Sequence, residues 1–163
     1  GLKGVGIETA KNLILAGPGA VTLLDDQPVE VRDLGSNFFL GEADIGHPRA
    51  AAVVHKLAEL NNMVTVRLVR GPLEESLVAQ HNVVVFSNTS LRDLLRWNEF
   101  CHSRSIAFIA SDVRGVAGYV FSDFGPKFTV RDVTGENPVT RIITNIANDE
   151  AGTVTLLVSQ AGG

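Results

Sequence analysis

Between residues 4 and 110 the apolar residues switch repeatedly between a helical period and short unbroken runs, and few folds can absorb that rhythm. Residues 4–16 place Val5, Ile7, Ala10, Leu13 and Ile14 at helical spacing, and Gly17-Pro18 stops them. Ala20-Val21-Thr22-Leu23-Leu24 is a short β-prone run ending in Asp25-Asp26, the pattern of a buried strand whose C-terminal end opens to solvent. Pro48 at a first helical position, followed by Val53, Val54, Leu57, Ala58 and Leu60, opens a second amphipathic helix that Asn61-Asn62 closes. Val64–Val69 reads as the next strand and Asn82–Phe86 as another. Ser90-Leu91-Arg92-Asp93 is a capping box for a helix carrying Leu94, Leu95, Trp97 and Phe100, and Ile106–Ala110 closes the series as a strand. Strands alternating with helices of about a dozen residues predict an α/β fold, a Rossmann-like doubly wound and mostly parallel sheet with helices on both faces.

The rhythm changes after about residue 116. Tyr119–Phe121, Phe128–Val130, Arg141–Ile143 and Thr153–Leu157 read as short strands separated by Gly, Pro, Asn and Asp turns. A boundary is expected near residues 124–128, with an α/β domain over residues 1–126 and the start of a small β domain over 127–163. The 163 residues are 45% hydrophobic and suffice for one core. A net charge of −4 supplies no general attraction to nucleic acid or anionic lipid. The single cysteine excludes an intramolecular disulfide and a thiolate zinc cage, which fits a reducing compartment. No run approaches the ~20 apolar residues of a membrane span. The chain opens without Met and inside a motif, so it is expected to be a piece of a longer protein, with the first strand of the sheet missing.

That motif is Gly1-Leu2-Lys3-Gly4-Val5-Gly6, directly before the first helix, with Asp25-Asp26 about 20 residues downstream. It nearly matches a dinucleotide fingerprint. With Gly1 and Gly6 as first and third glycines, Lys3 replaces the middle one, whose lack of a side chain normally admits a phosphate. A lysine there is expected to fill the space a nucleotide would need. Two readings stay open: the glycines merely let the helix pack tightly, or Lys3 is a cation held at a helix N-terminus and stretched toward phosphate on a neighbouring domain or subunit.

Several segments together carry a resemblance. Residues 1–17, Asp33–Leu40, Asp44-Ile45-Gly46, Lys56–Asn61, Glu99–His102, Arg114–Gly118 and Asp132–Pro138 are similar, in order, to the inactive adenylation half of eukaryotic ubiquitin-activating enzymes and its entry into the first catalytic-cysteine half-domain. The resemblance implies an enzyme of cytoplasm and nucleus that uses ATP and magnesium to adenylate the C-terminal glycine of ubiquitin. The acyl group then passes to a distant cysteine and on to a ubiquitin-conjugating enzyme. Two adenylation halves form a pseudo-dimer in that family, and only the second binds ATP. Where an active half carries Arg-Gln-Phe, this chain has Ser36-Asn37-Phe38, and where it carries a magnesium-binding Asp, this chain has Ser87-Asn88-Thr89. Neutral Asn88 is a weaker partner for a hard cation. No catalytic or metal-binding residue is therefore expected in this part, and no nucleotide bound by it. The resemblance makes Lys3 the one candidate binding residue: the inactive half lends a basic residue, usually Arg at this place, to its partner's ATP.

Other residues are assigned blander roles. Cys101 beside His102 is expected to be packing, because adjacent residues on a helix point apart. His47, His55, His81 and His102 lack metal-ligand spacing and default to solvated or locally bonded rings. Asp25 and Asp26 are ribose candidates only if Lys3 leaves the phosphate space. Asp112 and Arg114 are a candidate ion pair bracing the domain junction. A Rossmann-type oxidoreductase domain and the small subunit of an activating enzyme for another ubiquitin-like modifier remain the competing functions.

Overall fold

A computed structural model describes residues 1–133, 135, 141–148 and 152–157. It separates into two units, Gly1–Phe128 and Thr129–Gly163. The first unit contains α1 (Gly4–Ala16), β1 (Ala20–Leu23), α2 (Arg49–Ala58), β2 (Thr65–Leu68), α3 (Glu75–Val78), β3 (Val83–Ser87), α4 (Leu91–Ser103), β4 (Ala107–Arg114) and β5 (Ala117–Asp123), with short 3-10 helices at Val31–Gly35 and Glu42–Asp44. The parallel α/β architecture is the one the alternating periods predict. β1 pairs in parallel with β2, and β3 in parallel with β4, while β5 returns antiparallel along β4. β1 and β3 each have one edge without a strand partner among the described residues.

Local chemistry explains the helix limits. α1 ends because Gly17 takes a left-handed conformation (φ 81°) and donates its N–H to Ile14 O, which also accepts from Asn61 Nδ2 at 3.0 Å. α4 begins at Ser90, whose Oγ accepts from the Asp93 N–H and donates to the Asp93 carboxylate. Pro48 caps α2 from outside the helix, so the helix starts at Arg49. Two apolar clusters follow. Ile7 and Ile14 of α1 meet Leu23 of β1 and Val53 and Leu57 of α2. Phe86 of β3, Phe108 of β4 and Trp97 and Phe100 of α4 form the second, with the Phe86 and Phe108 rings stacked at 5.3 Å. Each fully buried aliphatic side chain contributes roughly 1.5–3 kcal/mol.

Three features differ from expectation. α3 is a single turn, too short to show a period. β4 runs four residues beyond Ala110, because its extension pairs with β5. The strand around Tyr119–Phe121 lies in the first unit's sheet, within the 1–126 span expected for that domain. Phe128–Val130 is not a strand: it has no ladder partner among the described residues.

In the second unit, β6 (Ile142–Ile146) and β7 (Val154–Leu157) form an antiparallel pair. Thr134 and Glu136–Pro138, part of the Asp132–Pro138 segment, lie outside the described residues, as do residues 158–163.

The glycine loop is seated by one close approach. A Cβ on Gly6 would lie 2.1 Å from Gly1 O and 2.5 Å from Ser87 Oγ, so only glycine lets α1 sit this near the end of β3. At Gly19 nothing lies within 4 Å of such a Cβ. Gly6→Ala is expected to cost about 1–3 kcal/mol in chemical denaturation, through backbone displacement, and Gly19→Ala less than about 0.5.

Candidate functional site

The loop before α1 meets the C-terminal ends of β1 and β3, the place where open α/β sheets bind ligands. Gly1 accepts a hydrogen bond from Ser87 Oγ at 2.8 Å, and the Leu2 N–H donates to Asp25 Oδ2 at 2.6 Å. A cleft of about 280 Å³ opens here, lined among others by Gly1, Asp25, Asp26, Arg49, Ser87 and Asn88. It is smaller than the ~300–1,000 Å³ usual for ligand pockets. A larger hollow, about 460 Å³ and open to solvent beneath Phe38, Phe39, Lys56 and Leu60, holds none of these groups.

Asp25 is not available to a ribose. Its carboxylate already accepts from the Leu2 and Gln27 N–H groups and lies 3.6 Å from Arg49 Nη1. Asp26 accepts from the Gly71 N–H. Arg49 is the centre of the region. Only 1% exposed, it donates from Nε to Asp33 Oδ2 at 2.7 Å and faces Glu30 Oε1 at 3.6 Å. Its Nη2 has no hydrogen-bond partner in the structure. Burial pushes the Asp33 carboxyl up, but the Glu30 N–H and Arg49, with the more distant charge of Lys3, outweigh it and hold it below the ordinary range. The exposed Glu30 is held down chiefly by its bond to Arg32.

Lys3 sits at the N-cap of α1 and is partly buried, but it does not line the cleft. That corrects the expectation of a plug: buried carboxylates and the Arg49 guanidinium take up the polar space instead. Among the described residues no hydrogen bond or ion pair involves the Lys3 side chain, although its charge acts on Glu30 and Asp33. Asn37 is buried, its Oδ1 accepting from the Phe39 N–H while its Nδ2 has no hydrogen-bond partner. Asn88 lies in the cleft wall with φ 52°. Asp25 and Asp26 accept backbone N–H groups, Arg49 faces three carboxylates while its Nη2 keeps no hydrogen-bond partner, and neutral Asn88 brings no charge for a divalent cation.

The sequence did not single out Arg49, Asp33 or Glu30. The signal was present: Arg49, Val53 and Leu57 share one helical stripe, and a charge at the head of an apolar stripe must be paired.

The remaining candidates lie elsewhere. Cys101 is fully buried on α4, and burial raises its thiol pKa, as packing predicts. His81 and His102 are not merely local. His81 bridges Leu77 O and Thr22 Oγ1 of β1, and His102 Nδ1 lies 2.9 Å from Asp123 Oδ2 on β5. The Arg114–Asp112 pair exists at 3.2 Å, but both residues belong to β4, two positions apart on one side of the strand. It therefore spans no junction. No metal-ligand cluster occurs among the described residues.

Arg49→Ala is expected to lose about 3–5 kcal/mol, since it strands Asp25 and Asp33 in the interior. Asp33, with a depressed folded pKa, adds stability that is whole above its unfolded value of about 3.9 and is lost as pH falls through the folded one. Asp33→Asn should flatten the acid limb of a stability-against-pH curve below about pH 4, measured by urea unfolding.

The family model described as "ThiF family" matches residues 1–160. Ubiquitin-activating enzyme E1 1 of Triticum aestivum is 51% identical over 157 residues, 95% of this chain and 15% of its own length. Ubiquitin-like modifier-activating enzyme 1 of Homo sapiens is 45% identical over 96% of this chain and 15% of its own. This chain thus spans about 15% of the curated relatives it matches. The crystal structure of E. coli MccB superposes with a TM-score of 0.66 at 18% identity, covering 85% of this chain and 42% of that one, a likeness of fold. The glycine loop, the parallel α/β sheet and the family match agree, and the chain belongs to the ThiF family.

Proposed function

We propose that this chain is the non-catalytic adenylation half of a ubiquitin-activating enzyme, continuing from about residue 127 into the first catalytic-cysteine half-domain. The observation that carries the reading is Lys3. It stands at the N-terminus of α1 with no ion-pair partner among the described residues, beside a cleft whose acids Asp25 and Asp26 already accept backbone N–H groups. In this reading the partner half of the same protein binds ATP and magnesium and adenylates ubiquitin. The acyl group moves to a cysteine elsewhere in the protein and then to a ubiquitin-conjugating enzyme, in cytoplasm and nucleus. The present half supports the fold of its partner and extends the Lys3 ammonium to the partner's ATP. A lysine suits that task because it is a compact charge on a long stem and needs no fixed fork geometry.

A dinucleotide reading finds less support, since Asp25 accepts two backbone N–H bonds and has no free geometry for a ribose.

Lys3→Ala in the full-length enzyme is expected to slow ATP–pyrophosphate exchange roughly tenfold, the loss of one charged contact. An unchanged rate overturns the assignment. The chain alone is expected to show no saturable ATP–magnesium binding by calorimetry.

A further inference from the structure

The loop that carries Lys3 is held from both sides by residues that one arginine joins. On one side the Leu2 N–H, next to Lys3 in the chain, is bonded to Asp25 at 2.6 Å, and Asp25 faces Arg49 at 3.6 Å. On the other side Gly4 packs on the 3-10 helix that presents Asp33: a Cβ on Gly4 would stand 3.3 Å from Ser36 Cβ, at the end of that helix. Asp33 receives the Arg49 Nε at 2.7 Å and the Glu30 N–H at 2.9 Å. The third carboxylate, Glu30, is bonded to Arg32 and faces Arg49. Glu30 and Asp33, the two carboxylates on which the Lys3 charge acts, are thus each already bonded to an arginine.

We propose that Arg49 is a positioning residue for Lys3: by occupying Asp33 it keeps this carboxylate from drawing the Lys3 ammonium into an internal ion pair. An arginine is suited to this. Its planar fork spans two acids at once, it does not lose its proton, and burial fixes it in place. Asp33 left unpaired would offer a counter-ion to a flexible ammonium whose charge already acts on it. Arg49 therefore acts on the partner's ATP only through Lys3, a consequence that rests on the role of Lys3 given above. The competition between Arg49 and Lys3 for Asp33 does not rest on it.

The test uses the full-length enzyme without ATP and reads two quantities. The first is the rate at which Lys3 is acylated by an N-hydroxysuccinimide ester, followed by peptide mass spectrometry. The second is KM for ATP in ATP–pyrophosphate exchange. Arg49→Gln should slow Lys3 labelling roughly tenfold and raise KM by a similar factor, the size of one charged contact. Adding Asp33→Asn to that variant should restore both, because the captor is gone. In a Lys3→Ala background Arg49→Gln should leave KM where Lys3→Ala alone puts it, a non-additivity that a merely structural arginine would not produce. Lys3 labelling at the wild-type rate in Arg49→Gln overturns the proposal. Slow labelling with an unmoved KM upholds the positioning and instead overturns the role of Lys3 toward ATP. If Arg49→Gln does not fold, Arg49→Lys decides, because a lysine keeps the charge but lacks the fork that holds Asp33 from Nε while facing Asp25: Lys3 should label more slowly than in the wild type, and an equal or faster rate refutes the proposal.

Discussion

A buried guanidinium between two buried carboxylates sets the terms for this molecule. Arg49 leaves the start of α2 and joins the end of β1, through Asp25, to the 3-10 helix that carries Asp33. Charges removed from water are tolerated only when each has partners, so three separate segments must arrive together or none can. The loop before α1 then follows, because its Leu2 N–H completes Asp25. In a nucleotide-binding relative of the same fold such a crevice would keep its polar groups for the ligand. Here Asp25 and Asp33 are turned to Arg49 and to backbone N–H groups, and the Nη2 of that guanidinium is left without a hydrogen-bond partner.

Much of the fold was legible because it is written locally. The apolar period of residues 4–16, the Gly17 stop, the Ser90 cap and the run at Val83–Phe86 each describe a segment without reference to its neighbours. What escaped depends on distant pairing. β5 pairs antiparallel with β4 because β4 extends past Ala110 to receive it, and the apolar run Ile106–Ala110 carries no sign of that extension. The His102–Asp123 contact was hidden for the same reason, since its partners lie 21 residues apart.

The site was half legible. Gly1, Gly6 and the acid at the end of β1 were visible as a spaced motif, and the structure brings them together within hydrogen-bonding reach. The expectation that Lys3 would block the cleft treated the lysine in isolation. The electrostatics of the region are governed by Arg49, whose position at the head of an apolar stripe was the one clue that it would be buried. Its burial shifts the account of the cleft from steric obstruction to charge neutralisation.

The edges of β1 and β3 that have no strand partner among the described residues have a practical consequence. Each presents a row of backbone donors and acceptors of the kind that any extended polypeptide can saturate, and β3 is made of Val, Val, Val and Phe. A preparation of these residues by themselves would therefore tend to polymerise through strand addition, and its solubility would depend on some polypeptide segment filling those rows first.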